Sequence, residues 1–179
     1  MTLSLVSEHI TTYAQTKRLS PQTLARWQAW SEEDQEALLA VVQELQLGEN
    51  HLRDFLDWLA EILARDGGTV RELLSRGDIH HPLHTKLSRN DKLKAVKDAL
   101  RKIRYPHLSR LEEELRLAVK ALDLGDQVRV SFPPSLEGEE ITVELKARNL
   151  KELTDSLSRL QQRVADGTLP RLFELFDEV

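Results

Sequence analysis

The chain has 179 residues, no cysteine and a formal net charge of −5, and charged residues make up 31 % of the composition. The missing cysteines exclude disulfides and thiolate metal sites, while abundant leucine and scarce aromatic residues favour helices packed through leucine stripes. No apolar run reaches membrane-spanning length, and the N-terminus lacks the pattern of a signal peptide. We therefore expect a soluble, cytoplasmic protein without membrane contacts.

The charges are distributed unevenly along the chain. Residues 1–78 carry 7 Lys and Arg against 13 Asp and Glu, residues 79–110 carry 9 against 2, and residues 111–179 carry 9 against 15. A positive segment can bind nucleic acid even in an acidic protein, because the local field decides the contact. The middle of the chain is therefore the candidate region for nucleic-acid binding.

Residues 1–78 are predicted to form an all-helical domain with short connections. Three helix starts are marked by capping residues: Ser20 before Pro21, Ser31 with Asp34, and Thr69 with Glu72. A first helix, with Leu3 among its apolar positions, is expected to end near Lys17-Arg18, and two longer helices are expected to meet at Gly48.

A helix-turn-helix is the DNA-binding motif to test against that pair, because a glycine lies in the turn Leu47-Gly48-Glu49-Asn50. The second helix, however, carries Asp54, Asp57 and Glu61, which would repel phosphates. We therefore interpret the pair as a helical hairpin made for packing.

The segment from Arg76 to Thr85 is predicted to be a polar linker. Its three histidines, His80, His81 and His84, invite a metal interpretation, since neutral imidazoles bind zinc or nickel. Pro82 is expected to prevent a regular i, i+4 helical presentation of these side chains. No metal site and no cofactor are predicted.

Ser88 with Asp91 marks the start of a basic helix that ends at Tyr105-Pro106. Its leucine, valine and isoleucine positions form a buried stripe, and basic residues adjoin that stripe. The cations are either a solvated helix face or a phosphate-contacting surface. The predicted phosphate-contacting set is Lys86, Arg89, Lys92, Lys94, Lys97, Arg101, Lys102 and Arg104.

From Leu108 onward the pattern predicts helix, strand, strand and helix, followed by a short amphipathic helix. Ser109 with Glu112 is expected to cap the first helix, and Asn149 with Glu152 the second. The two strands alternate with a period of two. This segment is too small to bury a sheet face and two leucine stripes, so pairing with a second copy is expected. The predicted dimerisation residues are Val128, Val130, Phe132, Ile141, Val143, Leu145, Leu153, Leu157 and Leu160.

The stretches "LSRLEEELRLAVKALDLGDQVRVSF" and "EEITVELKARNLKELTDSLSRL" resemble the C-terminal dimerisation segment of ParB-type chromosome-partition proteins. The resemblance covers less than a third of the chain. It implies a homodimer and DNA binding. The family's nucleotide-binding domain carries an arginine-rich "GERR"-type segment that this chain lacks, so the resemblance implies no nucleotide hydrolysis.

The predicted architecture is mainly helical, with a small C-terminal α/β module whose hairpin extends across a dimer. The predicted domains are residues 1–78, a linker and basic helix over 79–107, and a dimerisation module over 108–179.

No phosphate loop, nucleophile elbow or HExxH stretch is present, so we expect no enzymatic activity. The leading hypothesis is a homodimer that binds duplex DNA with weak sequence preference. The alternative is a dimeric protein-interaction adaptor that does not bind nucleic acid.

Overall fold

A computed structural model describes residues 5–138 and 140–177 of the chain. The described residues are mainly helical, with one two-stranded antiparallel sheet near the C-terminus, which confirms the predicted fold class. The elements are α1 (Leu5–Lys17), α2 (Pro21–Gln28), α3 (Glu32–Leu45), α4 (Glu49–Asp66), α5 (Val70–Leu74), α6 (Gly77–Leu83), α7 (Arg89–Arg104), α8 (Pro106–Ala121), β1 (Val128–Ser131), a 3₁₀ turn (Pro134–Leu136), β2 (Thr142–Leu145), α9 (Leu150–Ala165) and α10 (Thr168–Phe176).

The chain divides into two compact units, the first ending at Arg104 and the second beginning at Tyr105. No helix among the described residues is long and apolar enough to cross a membrane. The observed boundary between Arg104 and Tyr105 differs from the predicted boundaries after residues 78 and 107. Residues 79–104 belong to the first unit, because α6 and α7 pack against α3 and α4.

Local capping chemistry sets most helix starts in the first unit. The Ser20 and Ser31 side chains accept hydrogen bonds from the backbone N–H groups of Thr23 and Asp34, and Thr69 and Glu72 form the predicted reciprocal capping box. Each side chain satisfies a donor that the first helical turn leaves unpaired. The predicted end of α1 at Lys17 is also confirmed, whereas Leu3 lies outside the described residues.

The core of the first unit is made of aliphatic side chains from every one of its helices, with Trp27 and Phe55 fully buried among them. Tyr13 is buried with its hydroxyl 2.8 Å from the carbonyl oxygen of Leu47 and 3.1 Å from that of Val42. Burial raises the pKa of Tyr13 to about 12, because the ionised phenolate would lose its hydration. The phenol therefore ties α1 to the end of α3 in its neutral form.

The expected linker over 76–85 is instead largely the helix α6. Ile79 and Leu83, four residues apart, lie on the same side of α6 and are buried in the core of the first unit. Pro82 lies inside the helix and lacks the N–H that would bond to Asp78. In a helix of one to two turns that loss is a single bond, and the buried pair of aliphatic side chains offsets it.

The second unit begins differently from the prediction. Pro106 is the first residue of α8, and the backbone N–H of Ser109 donates to the carbonyl of Tyr105 at 3.0 Å. The expected capping box at Ser109 is therefore wrong, because the fixed φ angle of Pro106 starts the helix four residues earlier, with Tyr105 as the N-cap residue. The predicted Asn149 cap is confirmed by its side-chain hydrogen bond from the N–H of Glu152 at 2.9 Å.

Strands β1 and β2 form an antiparallel hairpin in which Val128 pairs with Leu145 and Val130 with Val143. The hairpin, α8 and α10 enclose a small core of their own. Its buried members are Leu111, Leu115, Leu122, Leu124, Leu136, Leu172 and Phe176. Extension of the hairpin across a dimer stays a prediction.

Candidate interaction surfaces

Helix α7 buries Val96, Ala99 and Leu100 in the first unit, and this orientation decides where its cations lie. The eight predicted phosphate-contacting residues separate into two groups. Half-buried side chains, which lie at the margin of the packed face, are Lys92, Lys97, Arg101 and Arg104; exposed ones are Lys86, Arg89, Lys94 and Lys102. The structure therefore does not bring the eight together as one solvent-facing patch.

Two of the half-buried cations pair with the acidic helix α4. Lys97 Nζ lies 3.0 Å from Asp54 Oδ2, and Arg104 Nη2 donates to Glu61 Oε1 at 2.8 Å. The two acids are seven residues apart, as are the two cations, so both pairs repeat after two helical turns. Two of the three acidic residues that argued against DNA recognition by α4 thus face two of the basic residues that argued for it on α7.

Trp58 lies between these two ion pairs on α4. Its ring centroid is 5.1 Å from Lys97 Nζ and 6.0 Å from the guanidinium carbon of Arg104. Cations at this distance are attracted by the negative face of an indole ring. His51 Nδ1 is a further polar neighbour of Lys97, 3.1 Å from its Nζ. We define the α4–α7 clamp as Asp54, Trp58 and Glu61 with Lys97 and Arg104.

Lys92 is more enclosed than Lys97 and Arg104, with 12 % of its side chain exposed against 24 % and 23 %. Its Nζ lies 2.5 Å from Glu44 Oε1 and donates to the carbonyl oxygen of Leu83 at 2.8 Å. The hydrogen bond from Lys92, then its charge, holds the pKa of the Glu44 carboxyl below its usual value, and the nearby His84 adds to that effect. Lys92 therefore joins α7 to α3 and to the end of α6.

The outer face of α7 carries both signs of charge. Lys94 and Lys102 are exposed there, but so are Asp91 and Asp98 on the same side of the helix. Opposite charges within about a Debye length, roughly 10 Å, largely cancel in the field that a phosphate backbone would feel. The exposed face of α7 is therefore a weaker anion-binding surface than its sequence alone predicts.

Helix α9 in the second unit packs through its polar side. Ser156 is buried with 2 % of its surface exposed, and Arg163 Nε donates to the carbonyl oxygen of Leu122 at 2.6 Å. Arg159 Nη1 approaches the carbonyl oxygen of Leu124 at 3.5 Å, where a side chain at Gly125 would collide with it. These carbonyls follow the end of α8, the negative pole of that helix, so arginines are favoured there.

The leucine positions of α9 consequently face outward. We define the α9 seam as Leu150, Leu153, Leu157, Leu160 and Val164, which recur at alternating spacings of three and four residues. Leu150 is 77 % exposed, Leu157 47 % and Val164 54 %, whereas Leu160 is partly covered by the core of the second unit. An amphipathic helix normally buries its apolar stripe, so α9 is turned the opposite way.

The predicted dimerisation residues on the strands are placed differently from those on α9. Val128, Val130, Phe132 and Ile141 pack against the core of their own unit. Val143 is exposed on β2, and Leu145 is half-buried. With Leu160 on α9, five of the nine residues predicted to pair with a second copy therefore already have partners within the chain, and the most exposed apolar group of the second unit lies on α9.

The prediction that Pro82 prevents a helical presentation of the histidines was wrong, because α6 continues through Pro82. His80 and His84 lie one turn apart with their rings in contact. The described residues contain no group of three or more His, Cys, Asp or Glu side chains arranged to hold a metal ion.

Comparison with family models, with curated proteins and with solved structures finds no match to this chain. The resemblance to ParB-type partition proteins therefore stays a prediction. What the chain does has to be argued from the surfaces described above.

Proposed function

We propose that the protein is a non-enzymatic adaptor that self-associates, with the α9 seam joining two copies through their second units. The outward orientation of α9 carries this proposal. The helix contacts its own unit through Ser156, Arg159 and Arg163, so its exposed leucines are not needed for that packing. Contiguous exposed apolar surface on the order of a few hundred Å² marks an interaction site in a water-facing protein.

The chemistry of the seam fits a second copy of the same helix. Alternating spacings of three and four residues are the repeat by which two helices interlock side by side. The side chains beside the exposed edge, Thr154 and Gln161, are uncharged. Two α9 helices can therefore meet without like-charge repulsion, whichever direction they run.

The proposal is tested by the mass of the protein in solution. The unmodified chain should have twice the 20.6 kDa mass of one chain in light scattering at tens of micromolar. Leu157→Lys should give the single-chain mass, because a lysine charge would be buried in an apolar contact. Gln162→Lys adds the same charge on the opposite side of α9 and should stay dimeric.

A monomeric unmodified chain would contradict the proposal. So would a Gln162→Lys variant that dissociates as fully as Leu157→Lys, because the effect would then follow from charge alone. Circular dichroism of both variants separates loss of pairing from loss of folding.

A second candidate function is weak binding to duplex DNA, favoured by the exposure of Lys86, Arg89, Lys94 and Lys102. Each phosphate contact should contribute about −0.9 to the slope of log affinity against log salt. Changing the four exposed cations to Gln should weaken binding to every duplex by a similar factor, since phosphate contacts carry no base information. If the parent chain does not bind DNA at low salt, this second function is wrong and the adaptor proposal stands alone.

A further inference from the structure

The two histidines at the end of α6 are brought together by the helix that replaces the expected linker. His80 lies inside α6, His84 follows its last residue, and both side chains are exposed. Their Nε2 atoms are 2.9 Å apart, and their rings are nearly perpendicular, with centroids separated by 4.0 Å. This contact is one hydrogen bond between the two rings, in which one ring nitrogen donates and the other accepts.

We propose that His80 and His84 form a binding site for a divalent transition-metal ion of the Ni²⁺, Cu²⁺ or Zn²⁺ class. This site goes beyond the proposed adaptor function and does not depend on it. A metal bound by two imidazole nitrogens at about 2.0 to 2.1 Å, with an angle of about 90° between the bonds, holds those nitrogens about 2.9 Å apart. The free protein already presents the two nitrogens at that separation, so binding requires only a rotation of the rings to aim their lone pairs at the metal.

The surroundings of the pair leave room for an ion. His80 and His84 line a surface cleft together with Glu44, Leu83 and residues of α3 and α5. The charged groups around the cleft are Glu44, Lys92 and Arg71. The Lys92 ammonium is held by the Glu44 carboxylate and the carbonyl of Leu83, and Arg71 Nη1 lies 2.9 Å from Glu33 Oε2. The lysine charge beside the cleft is therefore compensated, and the remaining coordination positions open to water.

The site offers two nitrogen ligands and no third protein ligand among the described residues. This ligand set predicts the order of affinities for different metal ions. Sites of this kind follow the general order of divalent affinities, so Cu²⁺ should bind more tightly than Ni²⁺, and Zn²⁺ more weakly than Cu²⁺. The imidazoles must be unprotonated to bind, so affinity should fall as the solution is acidified. A metal that bridges the last turn of α6 should also stabilise the folded first unit, since the unfolded chain does not hold the pair together.

Calorimetric titration of the full chain with NiCl₂ tests the site. The parent should bind one Ni²⁺ per chain at this site, and His80→Ala or His84→Gln should weaken that binding by more than about tenfold, since each removes one of two ligands. His81 is the matched control, because it is an exposed histidine between the two that does not share their contact. His81→Ala should retain the parent affinity.

Thermal unfolding supplies an independent readout. Ni²⁺ should raise the melting temperature of the parent and of His81→Ala, and should leave His80→Ala unchanged. The Leu157→Lys variant should bind Ni²⁺ as the parent does, which separates this site from self-association. Absence of Ni²⁺ binding by the parent, equal loss in His81→Ala, or full binding by His84→Gln would each overturn the assignment.

Discussion

Helices α7 and α9 are both sixteen residues long and amphipathic, yet they pack in opposite senses. Helix α7 buries its aliphatic stripe, and three of the cations beside that stripe, Lys92, Lys97 and Arg104, lie against carboxylates of α3 and α4. Helix α9 places Ser156 and two arginines against its own unit and leaves Leu150, Leu153 and Leu157 exposed to water.

The difference shows that a periodic pattern identifies the faces of a helix but does not decide which face packs within the chain. In the first unit, neighbouring helices supply both apolar partners and opposite charges for α7. In the second unit, the carbonyl oxygens that follow the end of α8 accept hydrogen bonds from Arg159 and Arg163 of α9. Three cations beside the buried stripe of α7 are therefore paired within the first unit, whereas most apolar side chains of the α9 seam stay exposed.

Truncation of one leucine in each region should give the largest contrast. Leu59 on α4 is fully buried, so Leu59→Ala should lower the free energy of unfolding by about 2 to 5 kcal/mol. Leu157→Ala should change the stability of the monomer by less than about 0.5 kcal/mol. The same change should weaken self-association about tenfold, equivalent to about 1.4 kcal/mol. Urea unfolding of dilute protein and sedimentation at several concentrations measure the two effects, and a large loss of monomer stability in Leu157→Ala would contradict an outward-facing seam.

Alkaline pH should act on the first unit through Tyr13. Because the pKa of Tyr13 is raised from 10.0 to about 12 by burial, its contribution to stability is complete below pH 10. That contribution, about 2 to 3 kcal/mol, should be lost as the pH rises from 10 through 12.

Tyr13→Phe is the control, since it has no phenol to ionise and shares every lysine that titrates in the same range. The difference in unfolding free energy between parent and variant should shrink between about pH 9 and about pH 11.5. A difference that is independent of pH would mean that the buried phenol is not linked to folding.

A larger side chain at Ser156, the buried position of α9, should test whether α9 packs through its polar side. Ser156→Leu adds apolar volume to a site that is 2 % exposed, and overpacking there should cost about 1 to 3 kcal/mol. In the Leu157→Lys background, which removes self-association, Leu153→Ser should be nearly neutral because Leu153 is exposed. If the hydrophobic substitution at residue 156 stabilises the protein and the polar one at residue 153 destabilises it, α9 packs in the ordinary sense.

Breaking the α4–α7 clamp should have only a small effect on stability. Asp54→Asn and Glu61→Gln each remove one partially exposed ion pair, worth about 0.2 to 1 kcal/mol. The double variant leaves Lys97 and Arg104 without these carboxylates, so duplex affinity at low salt should rise relative to the parent. Asp57→Asn is the matched control, because Asp57 pairs with Arg26 on α2. Unchanged DNA affinity in the double variant would show that the cations of α7 serve packing alone.

The sequence predicts those features that depend on nearby residues. The caps at Ser20, Ser31, Thr69 and Asn149 follow from side chains within three positions of the groups they bind. The aliphatic stripe of α7 and the order of helix, strand, strand and helix follow from periodicity.

Other features depend on contacts between residues far apart in the chain, and local pattern could not supply them. The linker interpretation of 76–85 was wrong because Ile79 and Leu83 find a core formed by helices that precede them. The candidate DNA surface was overstated because Asp54 and Glu61 lie more than 40 residues before the cations that they meet. One signal was available in the sequence, the common seven-residue spacing of these two acids and of Lys97 and Arg104.

The position of Trp58 allows the α4–α7 clamp to be followed by tryptophan fluorescence. All three tryptophans of the chain, Trp27, Trp30 and Trp58, precede Arg104, so intrinsic indole fluorescence arises from the first unit alone. Trp27 is fully buried, whereas the ring of Trp58 is partly exposed beside two cations. Emission should therefore follow the unfolding of the first unit, and a Trp27→Phe, Trp30→Phe chain would carry one fluorophore whose wavelength and quenching by iodide respond to the opening of the clamp.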